Sequence, residues 1–270
     1  MFPSRCPESH PTPASLLLVM AAGLGLLPTG CGQPPGIDMA GLLSQQIAEV
    51  HDGRRDSIEL AGGAVDDDTL EPLRGVEGIT RVVIEESQLS AAGLEVLATI
   101  PGLQQLVLRG RAVDDQGLSR LATIRTLKIL NLPRTTVSRA ALVQLQQLPE
   151  LMLLRIGSPH LRDDCLAVIA GMPALKFVHL IDVPVTDQGL RHLHEFKQLE
   201  SLYLDGARVS GDGVAELMEK LPQLHLHLDQ YHHDRDPNQH DHQNGAGSGR
   251  ATPGALYCGP LTRGQFLSSC

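Results

Sequence analysis

One internal repeat constrains this chain more than any other feature. Aliphatic residues recur every 24 positions in an unbroken column, Ile58, Val82, Leu106, Leu130, Leu154, Val178, Leu202 and Leu226. A second column lies two places later, at Leu60, Ile84, Leu108, Leu132, Ile156, Leu180, Leu204 and Leu228. Further columns starting at Val65, Leu70 and Leu73 run in the same phase. Chance does not hold several aliphatic columns in step over this length. Such a chain builds its core by stacking units, because no single unit can bury its own apolar face.

Each unit carries two rhythms. The L-x-L start has period 2, the mark of a short strand with one face inward. The later L-x-x-L, as at Leu190 and Leu193, has helical spacing. Helix-start residues precede it, for example Thr186-Asp187, with Asp114, Asp163 and Ser210 in related places. Breakers follow it at Pro101, Pro149, Pro173 and Pro222, and turn the chain toward the next strand. The expected fold is α/β: a right-handed solenoid with a parallel sheet of about eight strands on the concave face and short helices or turns on the convex face.

With Val185-Thr186-Asp187-Gln188-Gly189-Leu190 as its best unit, the stretch from about 58 to 228 resembles the bacterial leucine-rich-repeat family with 24-residue V-T-D-x-G-L units. The resemblance implies that solenoid and a binding rather than a catalytic role. The sequence departs from the family at the position three places after the second strand aliphatic, where Asn or Thr forms a turn ladder. Here the residues are Gly63, Ser87, Arg111, Thr135, Pro159, Val183 and Ala207, so that ladder is expected to be mostly absent.

The flanks divide the chain further. Residues 1–30 read as a signal peptide: Arg5 precedes an uncharged apolar run, Leu16 to Leu27, too short to span a bilayer. Gly30-Cys31 resembles a bacterial lipoprotein junction, which implies lipidation of Cys31 and a membrane tether; ordinary secretion is the alternative. Residues 31–57 hold the mature N-terminus and a capping helix, with Asp38 as N-cap and Met39, Leu42, Leu43, Ile47 and Val50 facing the first repeat. Residues 58–228 form the solenoid, and Leu226 and Leu228 close it in phase, although Leu221 and Leu224 sit one place late. The last helix is expected to gain a residue that the following turn loses. Residues 229–270 read as a His-rich and Gly-rich disordered tail. In it, Cys258 and Cys270 either pair in an oxidising compartment or remain free thiols. Cys165 occupies a repeated small-residue slot and is expected to be buried.

Strand alternation sends the residues between the Leu columns to the concave face. The central column there is Glu59, Val83, Val107, Asn131, Arg155, His179, Tyr203 and His227. Beside it, Ile129, Leu153 and Phe177 form an apolar strip next to Arg155, His179 and Tyr203. That composition suits a protein or peptide partner. A second candidate is metal binding by His225, His227, His232, His233, His240 and His242, since neutral imidazoles suit zinc, copper or nickel. A third is an intracellular adaptor resembling the substrate arm of F-box proteins, although no F-box-like helical segment precedes the repeats. Asp66, Asp67, Asp68, Asp163 and Asp164 read as helix caps and solvated turns.

Composition narrows the function classes. The formal net charge is −9, which argues against nucleic-acid binding, and aromatics make up 3% with no Trp, which argues against base-stacking platforms. No phosphate-binding Gly loop, G-x-S-x-G, H-E-x-x-H or CxxC is present. The chain is therefore expected to be a non-catalytic scaffold, with no cofactor, at the bacterial cell envelope.

Overall fold

The computed structural model describes residues 37–232, apart from 111, 112 and 230, with residues 231 and 232 described by their backbone. The expected signal segment, residues 1–30, lies outside the described residues together with Cys31, Cys258, Cys270, His233, His240 and His242, as does the side chain of His232. Among the described residues no helix is long and apolar enough to cross a membrane.

The fold opens with α1 (Met39–His51), capped by Asp38, whose carboxylate accepts from the Gly41 amide at 3.0 Å. Met39, Leu43 and Val50 are buried, and Leu42 and Ile47 pack at the edge of the same core. Gln46 is buried as well, and its side-chain amide pairs with strand β1 (Ser57–Leu60) like one more strand. It donates to the Glu59 carbonyl and accepts from the Glu59 N–H, both at 2.7 Å. The backbone of Glu59 on the sheet's first edge is thereby satisfied, and that edge is a poorer template for another strand.

Seven strands follow at 24-residue intervals: β2 (Arg81–Ser87), β3 (Gln105–Gly110), β4 (Ile129–Leu132), β5 (Leu153–Ile156), β6 (Phe177–Leu180), β7 (Ser201–Leu204) and β8 (His225–Leu228). Each pairs in parallel with the next, and the register matches residues 24 apart: Ile58 with Val82, Leu154 with Val178, Leu202 with Leu226. Between the strands run α2 (Asp67–Leu70), α3 (Ala91–Ala98), α4 (Asp115–Leu121), α5 (Arg139–Leu142), α6 (Asp164–Ala170), α7 (Asp187–Leu190) and α8 (Gly211–Lys220). Several of these helices are only one turn long and tighten into 3-10 turns, since packing rather than propensity holds them. The inward columns form one continuous core; Ile58, Leu106, Leu154 and Leu202 have no solvent exposure. Leu221 and Leu224 are buried behind the ten-residue α8, which absorbs the one-place slip.

One polar ladder was not legible in the sequence. Asp67, Asp115, Asp163 and Asp187, each at a helix start, reach across to the next repeat. Asp67 accepts from the amide and hydroxyl of Ser90 at 2.8 and 2.5 Å, and Asp115 from those of Ser138 at 2.6 and 2.7 Å. Asp163 binds Thr186 at 2.6 Å through both groups, and Asp187 binds Ser210 at 2.7 and 2.6 Å. Asp66 caps its own helix through Thr69, whereas Asp163, expected to act as a cap, makes no side-chain capping bond to α6. At the expected turn-ladder position, Ser87 and Thr135 do donate to the next repeat's carbonyls at Arg109 and Gly157, while Gly63, Pro159, Val183 and Ala207 have no hydroxyl to offer.

The sheet runs past Leu228. A two-residue strand, β9 (Tyr231–His232), pairs antiparallel with β8, setting His232 opposite His227 and Tyr231 opposite Leu228. The first residues expected to belong to the tail thus pair with the end of the last strand, at His227 and Leu228.

Candidate functional site

The sheet face opposite the helices carries two lateral ranks of side chains. In one rank Ile129, Leu153, Phe177, Ser201 and His225 are neighbours in register on β4 to β8. In the adjacent rank the order is Asn131, Arg155, His179, Tyr203 and His227. Ile129, Leu153, Phe177, Arg155, His179 and Tyr203 are all partly exposed, so the strip expected from alternation is assembled on one open surface. Parallel pairing with no slip across β4–β8 is what aligns them.

The other half of this face differs. Glu59 is bonded to Arg81, and Arg109 reaches Glu85 at 2.6 Å, so these charges satisfy one another across neighbouring strands. Val83 and Val107, expected to be exposed in the central column, are 9% and 4% exposed. The apolar and imidazole-rich half, on β4–β8, is left as the distinctive surface.

A hydrogen-bonded chain runs through that half. Arg155 donates from Nε to His179 Nδ1 at 3.2 Å and from a terminal nitrogen to Asn131 Oδ1 at 3.4 Å. His179 Nε2 meets Asp205 Oδ2 at 2.7 Å, with the two side chains only 13% and 16% exposed. A guanidinium has no lone pair to give, so Nδ1 must accept and Nε2 must carry the proton donated to Asp205. His179 is therefore the neutral Nε2–H tautomer. Its pKa agrees: burial pushes it below the ordinary 6.5, outweighing the Asp205 carboxylate, which pulls it up. The network ties Arg155 and His179 to Asn131 and Asp205 at the centre of the patch.

Aromatic contacts extend the patch toward β8. The Tyr203 ring lies 5.4 Å from His179 and stacks on His227 at 4.2 Å with planes 9° apart. His225 and His227 touch in turn, with centroids 4.4 Å apart. His227 is buried, at 7% exposure, and Ser201, between Phe177 and His225 in register, is buried too. Of the histidines named as metal candidates, His225 and His227 thus stand together beside the patch. Among the described residues no group of three or more His, Cys, Asp or Glu side chains converges as a ligand set.

Sequence reasoning missed Asp205 and the role of Asn131. Asp205 is the next outward position after Tyr203, two residues on, so the period-2 rule places it on the same face. Asn131 was read as part of the column, but its partner, Arg155, is one repeat away. Cys165 is fully buried, as its slot implied.

No family model matches the chain, and no curated protein matches it in sequence. Solved structures do. An internalin (inlF) from Listeria monocytogenes superposes with a TM-score of 0.50 at 18% identity, over 71% of this chain and 59% of that one. Internalin C2 from the same organism gives a TM-score of 0.50 at 17% identity, over 71% of this chain and 82% of its own length. The chain thus spans less than two thirds of the first of these. At such identities the likeness establishes architecture: an open parallel sheet backed by short helices, an α/β leucine-rich-repeat solenoid.

Proposed function

We propose that this leucine-rich-repeat solenoid is a non-catalytic scaffold that binds a protein or peptide on the open face of β4–β8. The observation that carries this reading is the contiguous patch itself. Ile129, Leu153 and Phe177 offer apolar area, and beside them Arg155, His179 and Tyr203 are preorganised by bonds to Asn131 and Asp205 and by stacking on His227. Binding surfaces are dominated by aromatic and Arg anchors whose conformations are fixed before the partner arrives, because little ordering entropy remains to be lost. The self-neutralised Glu59–Arg81 and Glu85–Arg109 half offers no comparable set.

The scaffold is proposed to work at the cell envelope, exported behind residues 1–30 and tethered by lipid on Cys31. Incorporation of radiolabelled lipid in the wild-type chain, lost in Cys31→Ala, is the expected result; labelling that survives the substitution overturns the tether.

The binding reading is tested by selecting peptides from a displayed library on the purified chain and measuring their affinity by calorimetry. Phe177→Ala and Tyr203→Ala should each weaken selected peptides by roughly 1–3 kcal/mol. Glu219→Ala, an exposed position on α8, should leave them unchanged. Peptides that ignore both aromatic substitutions would remove the patch from the proposal.

A further inference from the structure

The hydrogen-bonded chain at the centre of the patch runs in one direction, and that direction makes it sensitive to a single proton. Arg155 Nε donates to His179 Nδ1 at 3.2 Å, and His179 Nε2 donates to Asp205 Oδ2 at 2.7 Å. From the elements packed against β6, the charged or titratable groups that face this ring among the described residues are Arg155 on β5, Tyr203 on β7 and Asp205 just after it. His227 stands one strand further on, against Tyr203. A second ring proton has one place to go, Nδ1. There it meets the Arg155 N–H, so an acceptor becomes a donor and two cations stand at hydrogen-bond distance. The same proton strengthens the other side, where the bond to Asp205 becomes charge-assisted on both partners. Asp205 Oδ1 is buried and makes no hydrogen bond among the described residues, so this carboxylate gains from added positive charge. The protonated ring therefore stays with Asp205, and the Arg155 side opens.

We propose that His179 is a proton-operated latch on Arg155: the neutral ring holds the guanidinium in the patch, the imidazolium releases it, and a partner docked at neutral pH is let go in acid. The release rests on the partner-binding reading of the patch, whereas the latch does not. Burial keeps the imidazole below its ordinary 6.5 against the pull of Asp205, so the latch is shut at neutral pH. A released Arg155 recovers side-chain freedom that a partner would have to remove again, which weakens binding. By reciprocity, a partner that needs Arg155 in place makes His179 harder to protonate.

A pH titration of the isotope-labelled full chain by nuclear magnetic resonance reads the latch without any partner. At neutral pH His179 should show the Nε2–H tautomer, and the Arg155 Nε–H signal should move with the same midpoint as the His179 ring nitrogens. His179→Gln keeps an acceptor and a donor but cannot titrate, and should hold the Arg155 signal still; circular dichroism checks its fold. The latch is overturned if the Arg155 signal stays put while His179 titrates, or moves just as far in His179→Gln. It is also overturned if His179 takes up no proton while the chain remains folded. Release is read by calorimetry with peptides selected on the full chain at neutral pH. Their affinity should fall at least about threefold between about pH 7.5 and about pH 5, within the limit of about tenfold per pH unit for one linked proton. His179→Gln should abolish most of that fall. Peptides that need Phe177 and Tyr203 yet bind equally at both pH values, or lose affinity equally in His179→Gln, overturn the release. Peptides indifferent to Phe177→Ala and Tyr203→Ala overturn the partner-binding patch instead, and the resonance titration still decides the latch.

Discussion

Cys165 shows how one repeat chooses a residue in the next. It belongs to a slot filled elsewhere by Gly93, Gly117, Ala141, Gly189 and Gly213. Where the preceding repeat offers Asp163 or Asp187, the slot has no room: a Cβ at Gly189 or Gly213 would lie 2.5 or 2.2 Å from the carboxylate. Cys165 follows Arg139 instead, whose guanidinium turns away to Asp164 at 3.3 Å, and a thiol fits. Burial pushes that thiol's pKa up to about 12, with Asp164 and Asp163 adding to the shift. Native Cys165 should therefore resist alkylation at pH 8 and react only on unfolding, read by mass spectrometry of its peptide; rapid labelling of the folded chain would contradict its burial. Asp187 illustrates the opposite shift. The hydroxyl and amide of Ser210 hold its carboxyl below the usual 3.8. A carboxyl whose pKa is lower when folded stabilises above the unfolded value, and that contribution disappears as pH falls through the folded one. Asp187→Asn should therefore flatten the acid limb of a denaturant-midpoint profile below about pH 4 relative to wild type. For His179 the folded pKa is also depressed, so the unfolded chain takes up a proton first and stability falls as pH drops below 6.5.

At the scale of elements, Asp163, whose carboxylate bridges two repeats, and Gly189, which makes room for it, act as one unit. Ala normally gains about 1 kcal/mol over Gly inside a helix. At position 189 the added methyl would meet Asp163 Oδ1 at 2.5 Å and Val185 Cγ1 at 2.9 Å, and the clash should outweigh the propensity. Gly189→Ala is expected to destabilise by roughly 1–3 kcal/mol, the usual cost of overpacking. Asp163→Ala, which strips Thr186 of two bonds, should cost about 1–2 kcal/mol. The double variant should cost clearly less than the sum, because the second change opens the space that the first needs; additive losses in denaturant unfolding would refute the coupling. This unit also marks the limit of what the sequence discloses. The aliphatic columns were readable because a core demands strict phase, and the ranks Ile129–Phe177 and Arg155–Tyr203 followed from alternation. The Asp163–Thr186 bond was not, since each residue on its own looks like an ordinary helix start and the bond spans 23 residues. Gln46 was hidden for a similar reason, as an amide among polar helix residues whose partner is the backbone of Glu59. Strand β9 escaped because two residues carry no measurable period.

At the largest scale, the described residues form a row of neighbours, with each strand pairing only with those beside it and the helices docking in the same order. Stability in such a row is a sum of unit and interface contributions, so damage should spread from where it occurs. Leu180 sits in the core of β6 with no exposure, whereas Phe177 begins the same strand on the open face and is partly exposed. Leu180→Ala leaves a cavity and should cost about 2–5 kcal/mol. Phe177→Ala removes area that is already wet and should cost less than half as much, while carrying the larger loss in peptide binding. Hydrogen exchange on Leu180→Ala separates local from global effects. Amides of β5, β6 and β7, which pair with or adjoin the site, should lose protection first. Those of β1 and β2, four or more repeats away and closed off by α1, should keep it until higher denaturant. If protection falls uniformly along the sheet, the row unfolds as a single unit. If instead Phe177→Ala proves as destabilising as Leu180→Ala, the inward and outward ranks are exchanged. The patch on β4–β8 would then lie on the wrong side of the sheet to meet a partner.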